Sequence, residues 1–310
     1  MGYAVVLGEA LVDLLDAECA GEPVYRQAIG GGPLNVAVGV ARLGGDARFV
    51  GSLGDDVLAD RIRAFLTTAG VDVAGTVTVP APTALAVATF AGAEPDFRFY
   101  GEPPSYGQLT ADDVDVTLVE GADVLYCGSI VLLCPATLAA ARRAWCLATG
   151  VRVFDPNIRP RLLAGPEALA AVRHTTAEFA ATAHLVKLSA ADAEVLYPGE
   201  PVERVAAHLR DLGAGTVVVT LGAQGALVTA DTDPVRVPAP TVRAVDATGA
   251  GDSVMAALVA GLLADGQPAE PADWSDRVTF ALQVAGVVCE APGGAVAMPT
   301  RQQVARRFPT

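Results

Sequence analysis

Short, nearly continuous apolar runs alternate along the chain with stretches whose apolar residues recur every three or four positions. The runs at 3–8 (YAVVLG), 47–54 (ARFVGSLG), 122–128 (ADVLYCG), 151–156 (VRVFDP), 183–188 (AHLVKL) and 216–222 (TVVVTLG) predict strands. Apolar residues on both sides of a strand mean that both faces are covered, as in a parallel sheet between helices. The stretches 34–43, 57–69, 136–148 and 202–212 carry helical periodicity. Strand and helix in alternation predict a doubly wound α/β fold, with a central, mostly parallel sheet flanked by helices. Two segments break the pattern. EPVYRQAIG (22–30), and TALAVATFAG with PDFRFYGE (83–92 and 95–102), read as alternating or hairpin strands. They predict a small separate β-sheet, which is either a lid over a site or an extra edge hairpin. With no internal repeat, low-complexity tail or long linker, residues 1–310 read as one domain.

Composition narrows the function. The 310 residues are 52% apolar, enough for a large core, yet the longest apolar stretches are too short or too interrupted to span a bilayer. The opening MGYAVVLGEALVDLLDAE has no basic leader and no cleavage site, so it reads as a first strand and the protein as cytoplasmic. Five scattered cysteines with no CxxC pair read as reduced thiols, and the three histidines have no zinc-ligand spacing. A formal net charge of −14 argues against nucleic acid or an anionic membrane as partner. Lys187 is the single lysine and follows Val186. A Walker A loop needs glycine before its lysine, so that loop is excluded, as is the VAIK lysine of protein kinases.

Two glycine-rich turns carry the candidate chemistry. In DATGAGDS, Gly249 and Gly251 let successive amides converge just before an apolar helix that ends near Gly266. Amides at a helix N-terminus make an anion site. An aspartate that merely caps the helix is one reading of Asp252. It leaves unexplained a carboxylate set against anion-binding amides. A phosphoryl-transfer site accounts for both: the amides hold phosphate charge and the aspartate takes the attacking hydroxyl's proton. Asp246 and Thr248 offer oxygens for a hard cation. In IGGGPLNVAVGVARLGG, Gly30 and Gly31 permit close backbone approach, Pro33 suits a first helical turn, and Asn35 presents a polar group to a ligand hydroxyl. This is no dinucleotide fingerprint, because the third glycine is missing.

Other polar groups follow predicted strands. Asp13 comes after the first, and Asp155, Asn157 and Arg159 come in DPNIR at the end of the run that starts at Val151; carboxyl ends of parallel strands face the ligand crevice. In VVVTLGAQGA, Thr220, Gly222 and Gly225 suit a flat turn under a nucleotide.

Together these stretches resemble the ribokinase-like (PfkB) carbohydrate kinases over essentially the whole chain. GGGPLNVAVGVARLGG is similar to the family's N-terminal signature and DATGAGDSVMAALVAGL to its C-terminal one. GEALVDLL, FRFY, DPNIRP, VKLS, VVTLGAQGA and APGGAVAMPT resemble the fructokinase branch. The resemblance implies Asp252 as the base, with Gly249, Ala250 and Gly251 as the anion hole. It implies sugar contacts from Asp13, Gly30, Gly31, Asn35 and Asn157, with Arg98 and Arg159 near the sugar or the transferred phosphate. A nucleotide site is implied at Lys187, Ser189, Thr220, Gly222 and Gly225, and a potassium-like site at Asp246 and Thr248. Asp192 would join a Mg2+ network, and ATP, Mg2+ and K+ are the implied cofactors. Small-molecule sugar and ATP are the expected partners, and a homodimer through the lid the expected assembly. The chain departs from the family at four places. Ala247 stands where threonine is frequent, Val254 where phenylalanine is usual, and SAAD (189–192) where the family carries NxxE. After FRFY it reads GEPPSYGQLT, where fructokinases continue towards Ala-Asp. Fructose is the expected substrate. A 2-keto-3-deoxygluconate kinase, a nucleoside kinase and a non-catalytic sugar-binding regulator remain as alternatives, and a Rossmann dehydrogenase is disfavoured.

Overall fold

The computed structural model describes residues 2–90, 95–230, 233–268, 270–291 and 293–309. The apolar runs form the interior of a nine-stranded sheet. Its strands are β1 (Tyr3–Leu7), β4 (Asp46–Leu53), β5 (Thr76–Thr78), β8 (Val124–Gly128), β9 (Val151–Asp155), β10 (Leu185–Ser189), β11 (Thr216–Thr220), β12 (Ala226–Thr229) and β13 (Val235–Val237). In space they run β13-β12-β11-β10-β9-β8-β1-β4-β5. All neighbours from β11 to β5 are parallel, and only β12 and β13 turn back antiparallel at one edge.

Both faces of this sheet are covered, as β1 illustrates. Its Ala4 and Val6 pack with the helices Gly32–Arg42, Val57–Thr68, Ala250–Asp265 and Pro271–Cys289. Its Val5 and Leu7 pack on the other side with Pro135–Leu147, Pro166–Ala180 and Val202–Leu212. Successive strand residues point to opposite faces, so one apolar strand feeds two cores.

A second sheet has four strands in the order β3-β2-β6-β7. They are β2 (Leu11–Cys19), β3 (Glu22–Gly30), β6 (Leu85–Phe90) and β7 (Pro95–Tyr100). β2 pairs antiparallel with β3 and parallel with β6, which pairs antiparallel with β7. The two predicted hairpin halves lie here, and residues 11–19, to which the apolar pattern assigns no strand of their own, supply a further strand. It joins the halves, and Asp13 lies on it. One face of the small sheet, with Leu11, Ala84, Ala86 and Phe99, packs on Ile130 and Val131 of the main layer. Predicted residues 91 and 92 lie outside the described residues.

Candidate active site

The main-sheet side of the site is built at the carboxyl ends of the parallel strands. Glu9 follows β1, Ser129 follows β8, and Asn157 and Arg159 follow β9. β1 has β4 on one side and β8 on the other, so the chain order reverses there, where doubly wound folds open a crevice. A cavity of about 720 Å³ fills it. It is roofed by Leu11, Asp13, Leu15, Arg26, Ala86 and Phe99 of the small sheet and floored by Glu9, Gly31, Gly32, Asn35, Asn157, Arg159 and much of 244–252.

Two helix starts converge beneath it. The first, Gly32–Arg42, has Gly31 as N-cap with φ 118. Any side chain at Gly31 would meet the Glu9 carbonyl oxygen at 2.6 Å, so both the backbone angle and the space demand glycine. At Gly30 a Cβ would stand 2.2 Å from Asp13 Oδ2, and that vacancy admits the Asp13 carboxylate. The second helix, Ala250–Asp265, has Gly249 as N-cap in the left-handed region at φ 78 and no side-chain cap, so its first-turn amides are not used by one. A Cβ on Gly251 would have only Lys187 Nζ nearby, at 3.2 Å.

Asp252 is buried in the first turn of that second helix. Its Oδ2 accepts from Asn35 Nδ2 at 2.7 Å and its Oδ1 from Asn157 Nδ2 at 3.3 Å. Asn35 comes from the first helix and Asn157 from the loop after β9, where its own φ is 37. Three distant segments therefore aim one carboxylate. Arg159 Nη1 donates to Asn157 Oδ1 at 2.7 Å and carries positive charge to the cavity wall.

Burial sets the electrostatics. It pushes Asp13 up to about 7, helped by the Asp252 charge and opposed by Arg159. It pushes Glu9 up to about 7, against the Ser129 hydrogen bond and Arg159. Burial also raises Asp155 to about 6, although Lys187 Nζ sits 2.8 Å from its Oδ2 and pulls the other way. For Lys187 burial alone would lower the pKa, but Asp155, Asp192 and Asp252 together raise it above the usual value.

Asp13, Gly31, Asn35, Asn157, Arg159, Asp246, Thr248, Gly249, Gly251 and Asp252 share the cavity wall. Other candidates lie elsewhere. Lys187 is buried under the Ala250–Asp265 helix start, paired with Asp155, outside the cavity. Thr220, Gly222 and Gly225 form the end of β11 and the turn beyond it, also off the cavity wall. Ser189 caps the helix Ala190–Leu196 in a reciprocal box with Asp192. Asp192 Oδ1 accepts from the Ile158 amide at 2.8 Å and Oδ2 from Ser189, so both its oxygens are engaged within the protein. Asp246 is similar: Oδ1 accepts from Thr248 N at 2.8 Å and Oδ2 from Gly293 N at 3.2 Å. Among the described residues no three His, Cys, Asp or Glu side chains gather as a metal site.

Arg98, expected near the sugar or the transferred phosphate, does not line the cavity. β7 sets Phe99 into the cavity, and its neighbour Arg98 is exposed. Alternation along the strand makes this unavoidable. The roof's arginine is Arg26, opposite Leu15 on the cavity-facing side. The sequence reading also missed Glu9 and Ser129 as site groups. Glu9 had a signal, a carboxylate directly after an apolar strand in the run that supplied Asp13. Ser129 had none.

A substrate-sized crevice at reversed strand order, with a buried aspartate beside helix amides that no side chain caps, defines a class: an α/β enzyme built for group transfer to a hydroxyl. The family model for pfkB family carbohydrate kinases matches residues 1–301, and the chain belongs to that family. Fructokinase-1 of Zea mays is 34% identical over 313 residues, covering 97% of this chain and 95% of that protein. A Vibrio cholerae O395 fructokinase, solved in fructose-, ADP- and calcium-bound form, superposes with a TM-score of 0.87 at 27% identity, covering 99% of this chain and 98% of that one. The Salmonella enterica aminoimidazole riboside kinase, solved with aminoimidazole riboside and an ATP analog, gives 0.86 at 27% identity, covering 99% and 100%. No helix among the described residues is long and apolar enough to cross a membrane.

Proposed function

We propose that the protein phosphorylates fructose at its 6-hydroxyl, with ATP as donor. The observation that carries this reading is Asp252, oriented by Asn35 and Asn157 beside the uncapped start of an apolar helix. The acceptor hydroxyl gives its proton to Asp252 as its oxygen bonds to the γ-phosphorus. The bond from that phosphorus to the β–γ bridging oxygen breaks, and ADP leaves. The amides of Gly249 and Gly251 hold the negative charge on the moving group, joined by that of Ala250 once it leaves the Ala247 carbonyl it meets at 3.1 Å. Arg159 and Arg26 face the same space and add positive charge to it.

Among the described residues no three His, Cys, Asp or Glu side chains gather around one point, so the chain does not suit an all-protein Mg2+ cage. Mg2+ belongs to this reading as part of the MgATP substrate, where it offsets phosphate charge. A K+ requirement at Asp246 and Thr248 is part of the same proposal, read from the rate with and without K+. Exposed Tyr25 and Tyr100 on the outer face of the small sheet support a homodimer through that face, checked by light scattering.

Fructose over an acid sugar is favoured by charge. The cavity wall carries Glu9, Asp13, Asp16, Asp246 and Asp252 against Arg26 and Arg159, an environment that suits a neutral polyol. The fructokinase relatives at 34% identity point the same way. A 2-keto-3-deoxygluconate kinase is the second reading, favoured by Arg26, which could pair with an acid sugar's carboxylate. A panel of sugars with ATP and Mg2+, read by ADP release, separates them. Fructose is expected to be turned over with the highest kcat/KM; preference for the acid sugar would sink the fructose assignment.

A further inference from the structure

Glu9 is buried at the reversal point between β1 and β8, with its hydrogen bonding half complete. Oε1 accepts twice, from the Gly32 amide at 3.0 Å and from Ser129 Oγ at 2.6 Å. Ser129 makes its bond from φ 72, a left-handed angle that a serine adopts only under constraint. Oε2 is equally buried and has no partner among the described residues. A buried carboxyl oxygen left alone is costly, and native structures rarely tolerate one without a water or ligand to meet it. Glu9 lines the same cavity as Asp252, and Gly32 stands between them. Its amide holds Glu9, and a Cβ there would be 3.4 Å from Asp252 Oδ1 and 2.5 Å from Asn157 Nδ2. The two carboxyl groups therefore lie on either side of one glycine on the same cavity wall.

We propose that Glu9 is an acceptor-binding, specificity-determining residue: its Oε2 takes a second hydroxyl of the sugar whose reacting hydroxyl faces Asp252. The proposal rests on the sugar-kinase reading above and narrows it. The acceptor must carry two hydroxyls spaced to meet Asp252 and Glu9 together, which selects polyols over compounds with one free hydroxyl. Burial holds the Glu9 carboxyl up at about 7, so both its forms are present near neutrality. The ionised form accepts from a hydroxyl and the protonated form donates to one.

The test is calorimetric binding of fructose and its monodeoxy analogues to the intact protein without nucleotide, for wild type, Glu9→Gln and Glu9→Ala. ATP binding and steady-state kinetics are measured alongside. Glu9→Ala should weaken fructose roughly 10–100-fold, the range for a lost hydrogen bond to a polar or charged group, with ATP binding unchanged. Glu9→Gln, which keeps an oxygen for Gly32 and Ser129, should restore most of that loss. One monodeoxy sugar should bind wild type as weakly as fructose binds Glu9→Ala, and lose nothing more in the variant. Unchanged fructose affinity in Glu9→Ala overturns the proposal, as do losses that multiply independently at every deoxy position. Should Glu9→Ala fail a thermal-melt check, Glu9→Leu, of similar volume but with no oxygen to offer, takes its place in the same cycle. If wild type turns over a different polyol, the fructose reading falls and the cycle is run with that polyol. Sugar binding with the predicted coupling but no phosphate transfer leaves Glu9's role standing and removes the kinase reading.

Discussion

The two glycine-rich turns resemble each other in sequence and differ in what surrounds them. At Gly31 and Gly32 there is no room. A side chain on Gly31 would meet a main-chain oxygen, and one on Gly32 the Asn157 amide nitrogen. The helix that follows is buried along Gly32–Val40 and serves as a wall holding Asn35 against Asp252. At Gly251 the space is open on the cavity side, with only a lysine tip within reach. The first turn is thus dictated by packing within the protein. The second is packed at Gly249, where a Cβ would meet Gly294 Cα at 2.8 Å, but at Gly251 it has a vacancy beside helix amides, the shape expected where a ligand supplies the missing neighbour. Glycine in a motif does not by itself say which of these it serves.

The largest expected effect tests the shared target of both turns. Asp252→Asn should lower kcat by roughly 10²–10⁴-fold, the usual worth of a positioned base, while sugar binding measured by calorimetry survives. Turnover near wild type would remove Asp252 from the chemistry and leave the convergence of the turns structural.

Next comes the contrast between the turns themselves. Gly31→Ala combines a left-handed backbone angle with a collision against Glu9, and should cost about 4 kcal/mol in denaturant unfolding. Gly251→Ala should change stability by less than about 1 kcal/mol, because a helical glycine is replaced and only the Lys187 tip must shift. Its kcat should fall nonetheless. Equal destabilisation by the two variants would erase the distinction.

A smaller effect sharpens the first turn, which is pinned by a titrating group. Folding raises Glu9 from its ordinary 4.5 to about 7 by burial. The folded state therefore binds the proton more tightly, and stability is lost as pH rises from about 4.5 to about 7. Glu9→Gln carries no such charge. Relative to wild type it should gain on the order of 3 kcal/mol between pH 4.5 and pH 8. A pH-independent difference would mean that Glu9 stays comfortably ionised in the fold.

The smallest effect compares the faces of the small sheet. Arg98→Ala should leave kcat and KM within about twofold of wild type, as surface changes away from a site usually do. Arg26→Ala should raise KM or lower kcat measurably. If Arg98→Ala is the damaging one, the outer face takes part in function.

Much of this was legible in the chain. The apolar runs yielded six strands of the main sheet to within two residues at either end, because residues covered on both faces leave a continuous apolar signal. Pro166–Ala180 and Pro271–Cys289 are helices, and Leu11–Cys19 a strand, that the apolar pattern does not predict. Along β2 burial fades from Leu11 to Cys19, so its apolar pattern resembles that of a loop beside a strand. The motif residues Asp252, Asn35 and Asn157 were legible because each sits at a turn with its own local chemistry.

What the sequence determined by itself was therefore local: strand and helix periods, helix starts, and which turns require glycine. Tertiary structure alone decided which distant groups meet. Asp252 and Asn35 are 217 residues apart and Lys187 and Asp155 are 32 apart, yet both pairs close to hydrogen-bonding distance. It also moved Lys187 from an expected nucleotide contact to a buried ion pair, and exchanged Arg98 for Arg26 in the roof. The reason is geometric. Periodicity tells which residues share a face, but which face turns inward depends on how one sheet is laid over another, and that is a property of the whole fold.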